Sequence, residues 1–278
     1  MRQPAARALF ERLVSVPDGD IDLVRASLAI AAEEDEGLDP EPWAHRIDGL
    51  AWRGLEPLGA AATEDERLQR LYALFFDELG FSGEGVDYDD PASSFLHAVV
   101  ERRRGLPIAL AVLFVRIGRL MGLSCAGVSF PGVFLAKITT SEGEIFVDPF
   151  HRHRRLTPQS LEGRLAQLNK GQRQLERWML AAAPPRQILA RMLRNLKNLY
   201  LRRKDSARAF SAADRILLVD PEAWDDLRDR GLLCAALGGT EAARRDLSRY
   251  LEKAPQGADA AAIRARLGSL GSTRTILN

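Results

Sequence analysis

Between residues 20 and 80 apolar side chains recur at spacings of three and four, the period of helices with one buried face. Three helices are predicted. Asp20 can cap the first, with Val24, Leu28 and Ala31 on one face. The second follows Asp39-Pro40 and carries Trp43, Ile47, Leu50 and Ala51. The third starts at Thr63-Glu64-Asp65-Glu66, a capping box in which Glu66 reaches back to the cap amide. Leu68, Leu71, Phe75 and Leu79 form its buried stripe, and Gly80 ends it.

Residues 82–92 are polar and glycine-rich and predict a loop, after which Ser93 or Ser94 can cap a short helix closing on Arg102-Arg103-Arg104 and Gly105. Pro107 suits a first helical position, where its missing N–H costs nothing. From Ile108 to Met121 almost every residue is apolar, so this helix is covered on most sides, and Gly122 stops it. Three β-type runs follow, Cys125–Phe130, Val133–Ile138 and Glu144–Val147, with Pro131-Gly132 and the 139–143 stretch as turns. A buried helix feeding a short antiparallel meander predicts a mainly helical α+β fold. Thr157-Pro158 starts a further helix, and Ala183-Pro184-Pro185 marks a boundary between domains 1–183 and 184–278.

The second domain is periodic. Pro221 and Pro255 lie 34 residues apart, the tetratricopeptide period, giving units 190–223 and 224–257. In that register Leu193 matches Leu227, Lys197 matches Gly231, Tyr200 matches Cys234, Ala209 matches Ala243 and Ile216 matches Tyr250. Small residues at the alanine position let two helices approach closely, and residues 258–267 read as a terminal capping helix. First helices of such units face a concave groove, which Arg191, Arg194, Asn198 and Arg202 would line, with Arg228 repeating Arg194. Guanidinium forks beside an amide suit an acidic peptide or a terminal carboxylate. The competing reading is a solvated basic face, or one docked on the front half.

Charge sharpens that choice. The 278 residues sum to +1, yet residues 1–100 hold 8 arginines and no lysine against 21 acids, a net of −13, and the remainder carries +14. No zinc finger, helix-turn-helix or aromatic stacking series accompanies the basic half, so a protein partner is expected rather than nucleic acid. Two cysteines, Cys125 and Cys234, exclude a disulfide framework and fit a reducing compartment. The longest apolar run, Leu106 to Val115, is too short to span a bilayer, and Glu11 and Arg12 interrupt the opening stretch where a signal peptide needs an apolar core. A cytoplasmic protein without a membrane segment is expected.

The stretch SSFLHAVVERRRGLPIALAVLFVRIGRLMGLSCAGVSFPGVFLAKI followed by FVDPF resembles the bacterial SirB-type family, a transglutaminase-like core with tetratricopeptide repeats behind it. LAIAAEEDEGLDPEPWAHRIDGLA resembles that family's helical front end, so the resemblance covers nearly the whole chain. It implies a papain/transglutaminase-like core, whose wider superfamily places a Cys at the start of the buried helix, a His on a following strand and an Asp on the next. By that resemblance the nucleophile position is Pro107, the His position is Val133, within Pro131-Gly132-Val133-Phe134, and Asp148 alone survives. Two of three roles are missing, which implies a non-enzymatic scaffold or interaction protein, a pseudoenzyme. The alternative is a cysteine hydrolase or acyltransferase with a relocated nucleophile, Cys125 paired with His151. No cofactor is expected, and no metal: His151 and His153 offer only two ligands among Arg152, Arg154 and Arg155. Asp87, Asp89 and Asp90 lack the glycine and distal glutamate of a calcium loop.

Overall fold

A computed structural model describes residues 4–59, 61–169 and 174–271. The chain divides into two compact units after Ile188, five residues beyond the boundary expected from the Ala183-Pro184-Pro185 stretch.

In the first unit, helix α1 (Pro4–Val14) buries Ala6, Phe10 and Val14, an i, i+4 stripe absent from the expected elements. Helix α2 (Leu23–Ala32) is capped by Asp22, which accepts the Arg25 amide at 3.0 Å; Asp20, the expected cap, lies in a preceding 3₁₀ turn. Asp39 caps helix α3 (Pro40–Leu55). Helix α4 (Glu64–Tyr72) has the full capping box, with the Glu66 amide donating to Thr63 Oγ1 at 3.2 Å and the Thr63 amide to Glu66 Oε2 at 2.7 Å. It runs on as a π-helical turn (Ala73–Glu78), and Gly80 turns the chain away at φ +69°. The wider turn brings Phe75 and Phe76 inward together, where both pack on Phe114 of the buried helix.

Helix α5 (Leu96–Arg102) starts without a side-chain cap, because Ser93 and Ser94 belong to a 3₁₀ turn capped by Asp90. Helix α6 (Pro107–Leu120) opens on Pro107 as expected and is buried from Ile108 through Val115. Four antiparallel strands follow in sequence order, β1 (Ser124–Val128), β2 (Leu135–Thr140), β3 (Gly143–Asp148) and β4 (His153–Leu156). The second strand begins two residues later than expected, which leaves Val133 in the β1–β2 connection. The fourth strand is new. Only its Leu156 is buried, so its sequence carries no alternation to read. Helix α7 (Pro158–Asn169) follows the Thr157 cap and lays Leu161 and Leu165 on a cluster with Val128, Phe130, Leu135 and Phe146.

Helix α8 (Pro185–Arg202) leads into the second unit. Helices α9 (Ser206–Val219), α10 (Trp224–Ala236), α11 (Thr240–Lys253) and α12 (Ala260–Gly271) complete two hairpins and a final helix in the expected register. Ala209 and Ala243 are wholly buried at the close approaches. Gly231 leaves room for Leu247, whose Cδ2 would sit 2.8 Å from an added Cβ. Leu247 and Tyr250 then pack on Ile263 of α12. No described helix is long and apolar enough to cross a membrane.

One chemical change should have opposite signs at two glycines of the first unit. Gly49, in α3, has nothing within 4 Å of an added Cβ, so Gly49→Ala should stabilise by about 0.5–1 kcal/mol through helix propensity. At Gly83 an added Cβ would lie 2.1 Å from the Phe150 ring, and Gly83→Ala should cost about 1–3 kcal/mol. Urea unfolding midpoints of the two variants test both signs.

Candidate functional site

The three positions that the resemblance assigns to a triad have different surroundings. Pro107 is half-buried at the first turn of α6 and offers no nucleophilic atom. Val133 is packed into the cluster formed by Phe130, Leu135 and Leu165. Asp148, at the end of β3, is fully buried and still holds an imidazole, supplied by His151 three residues further on. Its Oδ1 accepts the amides of Phe150 (3.1 Å) and His151 (3.2 Å). Its Oδ2 meets His151 Nδ1 and accepts from Arg164 of α7, each at 2.7 Å. Burial alone would push this carboxyl up, but the His151 and Arg164 bonds outweigh it and hold the group below the ordinary carboxylate value. The His151 ring is 52% exposed and rests edge-on against Phe150 at 4.9 Å.

Cys125 is not part of this arrangement. It stands on β1 opposite Ile138, which is in turn opposite Ile145, so Asp148 lies about 10 Å further along β3 at 3.3 Å per residue. The Cys125 side chain is buried against Gly118 of α6, and burial pushes its thiol up to about 12. A Cys125–His151 dyad is therefore not formed. Among the described residues no group of three or more His, Cys, Asp or Glu side chains is arranged to hold a metal ion. Arg152 and Arg154, beside His151 and His153, bind the Phe76 carbonyl and Asp77.

The second unit contains a cleft of about 930 Å³. Of the five expected groove residues, Arg194, Asn198 and Arg228 line it, whereas Arg191 and Arg202 do not. Arg191 is half-buried, which lowers its guanidinium pKa, and Arg202 is exposed near the end of α8. The two lining arginines are already ion-paired. Arg194 Nε donates to Asp226 at 2.7 Å and its Nη2 to Asp220 at 3.2 Å. Arg228 donates to Asp229 at 2.8 Å and to Asp259 at 2.7 Å. Between them Lys197, which the sequence marked only as a repeat position, is buried and binds Asp226 at 2.6 Å as well as Asp229. Tyr250 donates to Asp259 at 2.6 Å.

The open basic stripe expected from the arginine spacing is thus corrected to a cross-linked network. The lining has five carboxylates, Asp220, Glu222, Asp225, Asp226 and Asp259, against three cations. The available signal was the Asp225, Asp226 and Asp229 set on the next first helix: Asp226 and Asp229 meet Lys197 one repeat back, and Asp225 meets Arg228 on its own helix.

Two measurements test the core site. Replacing Asp148 by Asn should cost about 3 kcal/mol or more at neutral pH, since it strips the charge from a buried, multiply bonded carboxylate. Because the folded pKa is depressed, the wild-type advantage should be complete above about pH 4 and shrink as pH falls through the folded value. Urea titrations from pH 7 to 3 read it. In a Cys234→Ala background, Cys125 should react with a thiol-disulfide reagent at pH 7.5 more than about a hundredfold slower than in urea, as a buried, protonated thiol must.

Comparison with known proteins agrees with this architecture. The transglutaminase-like superfamily model matches residues 41–194, and a tetratricopeptide repeat model matches residues 196–268. A UPF0162 protein of Xylella fastidiosa (strain 9a5c) is 36% identical over 273 residues, 96% of each chain. A UPF0162 protein of Pseudomonas aeruginosa is 30% identical, covering 89% of this chain and 90% of its own. Protein SirB1 of Salmonella typhimurium is 26% identical, covering 84% of this chain and 86% of its own. No solved structure matches the chain. With a transglutaminase-like core built around α6 and the four-strand sheet, and a repeat region behind it, the chain belongs to the UPF0162/SirB1 family.

Proposed function

We propose that this is a non-catalytic interaction protein of the cytoplasm, whose repeat groove holds a segment of a partner protein while the transglutaminase-like core serves as a structural body. The observation that carries this reading is the groove itself. It is a sizeable cleft whose charged side chains are held in place by one another before any ligand arrives, which lowers the cost of ordering them on binding. Exposed Asn198 offers a donor and an acceptor suited to a peptide backbone, and the Trp224 ring offers apolar surface. The non-catalytic side is supported by Pro107 and Val133 at the nucleophile and base positions. Two free, buried cysteines suit a reducing compartment.

The network also separates inner from outer partners. Asp226 is buried and orients both Arg194 and Lys197. Asp220 and Asp225 are 42% and 82% exposed and touch the outer ends of Arg194 and Arg228 at 3.2 and 3.3 Å. Exposed pairs of this kind contribute roughly 0–1 kcal/mol, so a carboxylate from an acidic segment can replace them without disturbing the buried pairs. The excess of carboxylates in the lining favours a second reading, in which the segment is basic.

An Asp220→Asn/Asp225→Asn variant distinguishes the two without touching the buried pairs. Partners captured by the full chain should bind it about three- to tenfold more tightly if their segment is acidic, and more weakly by a similar factor if it is basic. An Asn198→Asp/Trp224→Ala variant that folds normally and retains every partner at unchanged affinity would remove the groove reading.

A further inference from the structure

A second cleft, of about 580 Å³, lies in the first unit between α4 and the β2–β3 hairpin, with β4 at its far side. It belongs neither to the triad remnant nor to the repeat groove. Its floor is apolar, with Leu68 and Tyr72 5% exposed and Ile145 7% exposed. Its two ends carry opposite charge. At one end stand Glu64 and Asp65, in the first turn of α4, and Glu142, at the hairpin tip; at the other stand Arg154 and Arg155 of β4.

Each end is cross-linked. Glu64 Oε2 accepts the Ser141 amide at 3.1 Å, tying the start of α4 to the hairpin tip. Tyr72 donates its hydroxyl to the Arg154 carbonyl at 2.7 Å, tying the end of α4 to β4. The cleft is therefore held open at a set width. Arg154 turns its guanidinium to Asp77, outside the cleft lining. The side chains of Asp65, Glu142 and Arg155 make no hydrogen bond or ion pair among the described residues, and all three are exposed. Unspent anions face one end of an apolar floor and an unspent cation the other.

Spacing sets the size of what would fit. Leu156 pairs with Phe146, so Arg155 stands four to five residues along the sheet from Glu142, roughly 13–16 Å between backbones at 3.3 Å per residue. Both residues line the cleft and carry long side chains, so the distance between their charged groups can be shorter. An extended chain of three or four residues spans about 10–13 Å, and the cavity falls within the roughly 300–1,000 Å³ of small-ligand sites.

We propose that this cleft binds a short free peptide of three or four residues. Its terminal ammonium sits against Glu64, Asp65 and Glu142, its terminal carboxylate on Arg155, and a central apolar side chain lies over Leu68 and Ile145. Both termini are recognised, so the ligand is a free peptide rather than an internal segment of a protein.

Calorimetric titration of the full chain tests this with free peptides of two to five residues bearing Leu, Phe or Lys at the centre, together with N-acetyl and C-amide forms of each. Three- and four-residue peptides with an apolar centre should bind best, and capping either end should weaken them at least tenfold. Arg155→Gln should abolish the difference between carboxylate and amide, and Asp65→Asn/Glu142→Gln the difference between ammonium and acetyl. Absence of heat at 5 mM for every free peptide, or equal binding of free and capped forms, would overturn the proposal. The Asp220→Asn/Asp225→Asn variant should bind these peptides like the parent, which keeps this outcome separate from that of the repeat groove.

Discussion

A buried charge at the end of β3 organises much of the first unit. An ionised carboxylate removed from water costs several kcal/mol unless donors converge on it, and Asp148 collects two backbone amides, a guanidinium and an imidazole. Those four bonds can coexist in few conformations of residues 148–153. The chain turns back so that His153 stands opposite Asp148 and starts β4, with Arg152 at φ +58° reaching the carbonyl of Phe76. Phe150 is left projecting over Gly83, and Arg164 fastens α7 across the turn. The carboxylate thus joins the sheet, the 82–90 loop, the π-helical turn and α7. This structural work is a sufficient physical reason for an aspartate at position 148, whatever chemistry the neighbouring positions carry.

The second unit solves the same problem with several charges. A lysine at a position where the following repeat has glycine would be destabilising if unpaired, because its ammonium is buried between first helices. Asp226 and Asp229 neutralise it, and each then reaches a second cation, Arg194 or Arg228. Successive repeats are joined by charge as well as by the alanine seam. The cleft that results has a buried inner layer of pairs around Asp226 and Lys197 and an exposed outer one at Asp220 and Asp225.

Legibility in the sequence followed the range of the interaction. Thr63 with Glu66, Pro107 at a first turn, and the 34-residue recurrence of alanine and proline are local or strictly periodic, and each stands where its pattern placed it. The cap at Asp22 rather than Asp20 is a two-residue choice among three nearby aspartates, decided by a 3₁₀ turn that no periodicity announces. Strand β4 was invisible because three of its four side chains face solvent. At the sites the loss was of a different kind. An arginine stripe at spacing four is legible on its own helix, but Arg194's partners Asp226 and Asp220 lie 32 and 26 residues away, on the next first helix and at the end of α9. Likewise Asp148 was legible from the resemblance, whereas the imidazole it holds comes from a turn rather than from the strand that the superfamily pattern designates.

The division of charge along the chain shows why summed charge is a poor guide to a partner. An acidic front and a basic back suggest two halves attracting one another or a common counterion. Yet many of the charges are satisfied within their own unit. In the acidic half Arg25 is shared by Asp22 and Glu41, and Arg70 meets Glu78; Asp48 is held by Arg116, just beyond residue 100. In the basic half Arg230 sits between Asp214 and Asp246. A paired charge is screened by its neighbour over a few ångströms, and what a ligand meets is the residue left over at each surface. At the repeat groove the lining is net acidic, with exposed Asp220 and Asp225 on the outside of paired inner cations; at the α4–hairpin cleft it is acidic at one end and basic at the other. Both patterns present a local arrangement of charge that the total of +1 does not reveal.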